Sequence, residues 1–225
     1  MKLKKLVAIT LSAVMCMAAL TGCGGKSDSA KKTAKVIEVD LTDEQYAFGV
    51  DKDQPDLLKE VNQFVKDMKS DGTFDEICNR YFGDGTPVPV KSAAYDESKD
   101  QLVVATNAAF EPFEYMDGEN YVGIDMEIAK ALADKLGKEL VIQNMDFDAV
   151  CLSVGQHKCD VAMAGLTIKP DREEYVAFSD PYYSASQKLI TLSTDTEFDA
   201  CKTADDVNKI LEAKGSDLKI GFQNG

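Results

Sequence analysis

The sequence predicts an α/β fold in which a central, mostly parallel sheet is flanked by helices. Short apolar segments alternate with amphipathic helical patterns between residues 102 and 164, an order typical of parallel sheets. Two further amphipathic helical patterns precede these units, and each has an apolar face that a sheet would cover. Aromatic and polar residues follow the apolar segments, where such sheets bind ligands.

The N-terminus has the composition of an export signal. Three lysines precede an apolar run from Leu6 to Leu20, which is too short to span a bilayer and predicts a cleaved signal peptide over residues 1–22. Cys23 follows Leu-Thr-Gly and resembles the lipidated cysteine of a bacterial lipobox. Residues 23–35 are polar and predict a flexible tether. The alternative is an ordinary signal peptide with an incidental cysteine.

The net charge of the chain restricts the classes of partner that it can bind. Its 39 acidic residues outnumber its 25 basic ones, for a net charge of -14. Phosphate backbones should repel such a chain, so we expect no nucleic-acid partner. With 225 residues, the chain is long enough for one domain, or for one domain and part of another.

Four cysteines lie beyond the predicted lipidation site: Cys78, Cys151, Cys159 and Cys201. Export permits disulfides, and Cys151 with Cys159 is the closest pair along the chain. The alternative is that all four are free thiols that pack as small apolar side chains. The sequence has neither a CxxC motif nor a cysteine–histidine cluster, so we expect no metal and no cofactor.

The first predicted elements are a strand at residues 45–50 and two helices. The first helix has Pro55 near its start and Gly72 after its end. Thr73 and Glu76 predict a capping box for the second. Together the helices form a hairpin whose apolar faces need a sheet to cover.

A polar linker at residues 83–100 separates this hairpin from the sheet-forming region. The elements predicted after it are strands at 102–106, 140–143, 161–164, 188–193 and 218–222, and helices at 124–136, 147–154 and 204–213. The strand ends that should carry a ligand site are 106–113, 144–147 and 165–172.

Arg172 is the sharpest chemical signal in these strand ends. Arg80 and Arg172 are the only arginines in the chain, and a guanidinium offers paired donors that match a carboxylate. Arg172 follows a strand-end turn in which backbone N–H groups and the Thr167 hydroxyl could converge on the same anion. The alternative is a surface arginine paired with Glu173 or Glu174.

The aromatic residues favour the same edge. Phe110 and Phe147 follow two of the strands, where they could sandwich an apolar or planar group. Phe113 is better explained as core. His157 reads as a solvated turn residue, and Asp51 and Asp53 read as part of a helix cap rather than a calcium loop.

Four segments, taken together, resemble the polar-amino-acid family of ABC-transporter solute-binding proteins (bacterial extracellular, family 3). They are TNAAFEPFEY, YVGIDMEIAKALADKLG, DVAMAGLTIKPDREEYVAFSDPYY and KIGFQNG, and they follow in order across residues 102–225. The resemblance implies a periplasmic-binding-protein-like lobe and a ligand held between two lobes.

The resemblance also implies roles for individual residues. It puts Arg172 on the α-carboxylate of the ligand, with help from Thr167, and the Gly165 carbonyl near the α-ammonium. Phe110 and Phe147 would flank the ligand side chain, and Asn107 would read its polar end. No catalytic residue is implied.

Two departures from the family pattern affect the predicted domains. Residues 36–90 resemble the segment that normally closes the family's chain, which indicates a circular permutation. We therefore expect the ligand-binding lobe at 36–194, with the linker at 83–100 inside it. The second lobe would only begin, at 195–225.

The function that the resemblance implies is that of a substrate-binding lipoprotein of an ABC importer. Its partners would be a free amino acid, the transporter permease and the membrane, through the lipid anchor. Two alternatives stay open. One is a catalytic relative that dehydrates amino-acid precursors, and the other is a sensor or scaffold that binds no ligand.

Overall fold

The computed structural model describes residues 33–223, except for the side chain of Asp217. The predicted signal peptide, Cys23 and all but the end of the tether lie outside this range. Within it, no helix is both long and apolar enough to cross a membrane.

Twelve strands and six helices are formed by the described residues. The strands are β1 (Ala34–Val36), β2 (Glu44–Tyr46), β3 (Gly49–Asp51), β4 (Gln101–Thr106), β5 (Ala109–Phe110), β6 (Glu114–Asp117), β7 (Asn120–Val122), β8 (Glu139–Asn144), β9 (Val161–Ala162), β10 (Val176–Phe178), β11 (Tyr183–Ala185) and β12 (Ile190–Leu192). The helices are α1 (Pro55–Asp71), α2 (Thr73–Phe82), α3 (Ile124–Leu136), α4 (Phe147–Gly155), α5 (Pro170–Glu173) and α6 (Ala204–Ala213).

The chain divides into two compact units. One contains the described residues up to Asp43 together with Ser186–Phe222, and the other contains Glu44–Ala185. The predicted first lobe, 36–194, therefore includes segments of both units. The reason is that β1 pairs with β12, so the residues flanking these strands pack with each other.

The larger unit is built around a five-stranded sheet in the order β10-β3-β9-β4-β8. β4 runs parallel to β8 and β9, whereas β3 is antiparallel to both of its neighbours. Four of the five strands consequently point the same way, which confirms the α/β class and the mostly parallel sheet. The strand predicted at 45–50 is in fact two strands, because β2 leaves this sheet to pair with β11.

The helical hairpin packs on this sheet with the apolar side chains that the sequence pattern predicted. Buried residues of α1 are Val61, Phe64, Val65 and Met68. Gly72 ends α1 with a φ of 90°, a conformation that glycine adopts without strain. The predicted capping box is wrong. Thr73 is the first residue of α2 rather than its cap, and its N–H donates to the Asp71 carboxylate at 2.9 Å.

The helices α3 and α6 have their predicted bounds, but several strands differ from the prediction. β9 and β12 are shorter, and residues 218–222 form no strand. After α6 a short 3-10 helix spans Gly215–Asp217, the residues from 218 to 223 are irregular, and Phe222 is 83% exposed. Residues 109–122 form an unpredicted three-stranded meander, β5-β6-β7.

The smaller unit has its own apolar cluster. Ile37 and Val39 pack with Phe198 and Val207. Its helix α6 begins at a capping box in which Thr203 accepts from the Asp206 N–H.

His157 and the acidic residues near α1 are arranged differently from the prediction. His157 is exposed, but its Nδ1 lies 2.7 Å from the buried Asp51 carboxylate. That carboxylate also accepts the Asp53 N–H at 2.9 Å, and α1 is capped by Gln54 without a side-chain bond. Asp51 thus fixes a turn and a histidine instead of capping a helix.

The four described cysteines all have free thiols. Cys151 and Cys159 are buried among apolar side chains, in line with the second of the two alternatives considered above.

Candidate functional site

The carboxyl ends of β4, β8 and β9 meet at one edge of the sheet. Thr106 and Asn144 end the β4–β8 ladder opposite each other. Just beyond them the Asn107 side chain donates to the Met145 carbonyl at 2.7 Å, and the Asn144 side chain accepts the Ala108 N–H at 2.9 Å. These bonds lock the two strand-end loops together and fix Asn107 at the edge.

Arg172 lies in the short helix α5, and two contacts hold its guanidinium. It donates from one terminal nitrogen to the Thr167 carbonyl at 2.9 Å, and its carbon lies 5.0 Å from the centre of the Phe147 ring. Arg172 forms no ion pair with any residue between 33 and 223, so the alternative pairing with Glu173 or Glu174 is not formed. Its remaining N–H donors are available to an anion.

Thr167 lies opposite Tyr46 of β2 in a short antiparallel bridge. The two cross-strand hydrogen bonds, each 3.0 Å, come from the flanking residues. In such a non-hydrogen-bonded pair the N–H and C=O of each residue point away from the partner strand, so both backbone groups of Thr167 face away from β2. The Thr167 hydroxyl is engaged elsewhere, since it donates to Glu44 at 2.8 Å.

Gly165 and Phe110 form a second contact at this edge. Gly165 has a φ of 53°, and a Cβ added to it would come within 3.0 Å of the Phe110 ring. The ring therefore packs directly on the glycine backbone. Phe110 in turn stacks on Phe113, with ring centres 5.6 Å apart, and Phe113 is buried as predicted.

Two buried acids behind Gly165 escaped the sequence analysis. Asp125 is completely buried, and it accepts the Gly165 N–H at 2.9 Å and the Tyr182 hydroxyl at 2.6 Å. Burial raises the pKa of its carboxyl to about 6, although both hydrogen bonds act to lower it. The sequence signal for it is an acid between the apolar Ile124 and Met126 at the start of the predicted helix.

Glu114 is the second of these acids. It is also completely buried, and neither carboxyl oxygen has a hydrogen-bond partner among the described residues. Burial, together with the nearby Asp125, raises its pKa well above the usual range. Because Glu114 lies between Phe113 and Tyr115, the alternation of polar and apolar residues suggests an exposed position on a strand.

The structure thus brings most of the predicted residues into contact at one edge. Arg172, Thr167 and Phe147 form one group, while Gly165 and Phe110 form another, and the backbone from 165 to 167 joins the two. Asn107 reaches the first group only through the Met145 carbonyl, two residues before Phe147.

Comparison with known proteins gives several relatives. The chain is 35% identical over 136 residues to the arginine-binding extracellular protein ArtP of Bacillus subtilis, covering 57% of this chain and 53% of ArtP. It is 37% identical over 122 residues to the putative ABC transporter arginine-binding protein 2 of Escherichia coli, covering 54% and 45%. A cyclohexadienyl dehydratase of Pseudomonas aeruginosa is 31% identical over 127 residues, covering 55% and 47%. The chain thus spans about half the length of these curated relatives.

Among solved structures, an ancestral cationic amino acid solute-binding protein is 33% identical, with a TM-score of 0.36 over 49% of this chain and 41% of that one. Domain 1 of the arginine-binding protein TmArgBP is also 33% identical, with a TM-score of 0.37 over 52% and 94%. The family profile described as bacterial extracellular solute-binding proteins, family 3, matches residues 8–84 and 102–219. Since these segments make up most of the sequence, the chain belongs to that family.

Proposed function

We propose that this chain is the substrate-binding component of an ABC importer, and that it captures a free amino acid through its α-carboxylate and α-ammonium groups. The arrangement of Arg172 carries the proposal. A guanidinium without an ion pair, held in place by a carbonyl and an aromatic face, is prepared to bind a carboxylate with paired hydrogen bonds. The Thr167 N–H, directed away from β2, is the backbone donor best oriented to assist it.

The rest of the ligand extends from this carboxylate subsite. The Gly165 carbonyl accepts the α-ammonium, and the Asp125 carboxylate behind it supplies a favourable negative potential. Phe110 and Phe147 flank the ligand side chain, and Asn107 binds its polar end. Since several relatives bear the name arginine-binding, L-arginine is the first ligand to test.

The test is an NMR titration of the full chain with a panel of amino acids, which also quantifies millimolar dissociation constants. Arg172→Lys should weaken binding at least tenfold, because lysine keeps the charge but loses the paired donors. Lys169→Gln removes a neighbouring charge and should change the affinity less than threefold. Both variants should keep the wild-type Tm. Undiminished affinity in Arg172→Lys would remove this residue from the site.

We propose that lipidation of Cys23 holds the protein at the membrane, near the permease to which it delivers its ligand. A single acyl-modified cysteine behind a polar tether would keep the binding unit near the transporter. Cells producing the chain should incorporate labelled fatty acid into it, and Cys23→Ser should abolish the labelling. Equal labelling of both would exclude Cys23 as the anchor.

One relative is a dehydratase, so a catalytic function is the alternative to test. A general acid or base must reach the substrate, whereas Glu114 and Asp125 are both completely buried. Mass spectrometry of the ligands after incubation separates the cases. Unchanged ligand that binds supports transport, a dehydrated product supports catalysis, and no binding supports a scaffold.

A further inference from the structure

No described residue offsets the burial of the Glu114 carboxyl with a hydrogen bond or an opposite charge. Both oxygens are enclosed and without a hydrogen-bond partner among residues 33–223, and the residue forms no ion pair there. A carboxylate in such surroundings is far less stable than the neutral acid. Glu114 therefore keeps its proton at neutral pH.

The groups that face Glu114 and Asp125 come from several elements. Asp125 itself lies on α3, Tyr46 on β2, Tyr182 just before β11, and Cys78 on α2. The pKa of each of these phenols and of the thiol is raised by burial and by the nearby acids, so they stay neutral as well. The cluster contains no cation among the described residues, and it holds one acid that ionises near neutral pH, Asp125.

Asp125 is the acid of this cluster that bonds directly to a residue of the candidate ligand site. Its carboxylate accepts the Gly165 N–H, and Gly165 packs against Phe110. Glu114 is the cross-strand partner of Phe110 in the β5–β6 pair. Asp125 therefore supports the Gly165 backbone directly, and Glu114 lies on the strand that pairs with Phe110.

We propose that Asp125 is a positioning residue of the ligand site whose negative charge, behind Gly165, favours a bound cationic group and links its binding to proton release, while Glu114 beside it stays protonated. This rests on the proposed function, in which an α-ammonium lies at Gly165. The negative charge of Asp125 and the positive charge of the ligand stabilise each other. Ionisation of Asp125 must therefore strengthen ligand binding by the same factor by which ligand binding favours ionisation of Asp125.

The direction of the pH dependence follows from this coupling. The pKa of Asp125 is raised to about 6 by burial, so its charge is lost as the pH falls through 6. Affinity for a cationic ligand should then fall below pH 6, and ligand binding should lower the pKa of Asp125. We expect affinity for L-arginine to drop at least fivefold between pH 7.5 and pH 5.

The experiment is a titration of the full chain with L-arginine across this pH range, followed by the ¹³C shift of the Asp125 carboxyl with and without ligand. Asp125→Asn keeps the shape and one acceptor for the Gly165 N–H but cannot ionise, so its affinity should not vary with pH. Glu111→Gln, which removes an exposed acid between β5 and β6, should keep the wild-type profile. Glu114→Gln imitates a protonated glutamate, so its affinity for L-arginine should still fall below pH 6. We call this fall in affinity the acid limb of the profile.

The outcomes separate this inference from the proposed function. If no amino acid binds at any pH, the proposed function fails. If L-arginine binds but Asp125→Asn keeps the acid limb, Asp125 has a structural role only and the inference fails. An unchanged Asp125 titration on ligand addition overturns the inference without relying on any variant. If the affinity of Glu114→Gln fell at a different pH from that of the wild type, Glu114 would be charged in the wild type.

Discussion

At the scale of single residues, the candidate site depends on how Arg172 is held. Long basic side chains lose rotamer freedom on binding, and prior restraint reduces that loss. The Phe147 face and the Thr167 carbonyl restrain the guanidinium before any ligand arrives. Arg172 should therefore bind with less loss of conformational entropy than a mobile surface arginine.

Phe147→Leu tests this restraint. The change removes the aromatic face, and a partly exposed cation–π contact contributes about 0.5–1 kcal/mol, so affinity should fall about two- to fivefold. Phe147→Tyr keeps the face and serves as the control in the same titration. Equal affinity in the leucine and tyrosine variants would mean that the ring does not act on Arg172.

The pair of His157 and Asp51 predicts a pH-dependent stability. The hydrogen bond and charge of Asp51 raise the pKa of His157, so the pair stabilises the fold fully below the unfolded-state pKa of about 6.5. That contribution is lost as the pH rises through the folded-state value. The Tm of the wild type should therefore decrease, relative to a His157→Asn variant, as the pH rises above about 6.5.

Asparagine is the matched substitution because His157 has a φ of 59°, which asparagine tolerates better than most residues. The measurement is the difference in Tm between the two proteins from pH 5 to pH 9. A difference that stays constant over this range would show that the pair does not titrate.

At the scale of elements, Glu127 attaches the helical hairpin to α3. Its nearly buried carboxylate pairs with Arg80, accepts the Tyr81 hydroxyl at 2.7 Å and accepts the Val88 N–H at 3.0 Å. One side chain thus joins α2 and the start of the linker to a helix of the sheet-forming region.

Glu127→Ala should lower the free energy of unfolding by about 2–3 kcal/mol, because it leaves these donors without their shared acceptor. Glu76→Ala removes the other, exposed partner of Arg80 and should cost at most about 0.5 kcal/mol. Urea denaturation measures both. A similar loss in the two variants would contradict an anchoring role for Glu127.

At the scale of the whole molecule, residues 44–185 contain both large apolar clusters, the complete five-stranded sheet and all six candidate ligand-binding residues. The interior strand β3, which lies between β10 and β9, comes from the segment that resembles the family's chain end. The circular permutation and the lobe boundaries expected from the sequence both stay predictions.

We expect residues 44–185 alone to fold cooperatively, because no strand of the sheet lies outside them. Thermal unfolding should give one sharp transition, and a chain that also lacks 44–90 should not fold, since it loses β3 from the middle of the sheet. A broad transition for 44–185 would mean that this unit depends on the remaining residues.

The sequence by itself determined the α/β class and the helices with long apolar periodicity, and it singled out Arg172 as a candidate. These features depend on local spacing and on residue chemistry, which the chain carries wherever it folds. The bounds of α3 and α6 were predicted for the same reason. By contrast, β2 and β3 read as one strand, because their pairing with different partners is not encoded in their own pattern.

Only the tertiary structure decided which groups meet. Nothing local relates Asp125 to Gly165, or His157 to Asp51, since these contacts join distant segments. A buried acid looks like an exposed one in a sequence, because desolvation is a property of the surroundings and not of the residue. The sequence therefore indicated Arg172 as a candidate ligand-binding residue, whereas the buried Asp125 carboxyl behind Gly165 became visible only once the sheet and α3 had come together.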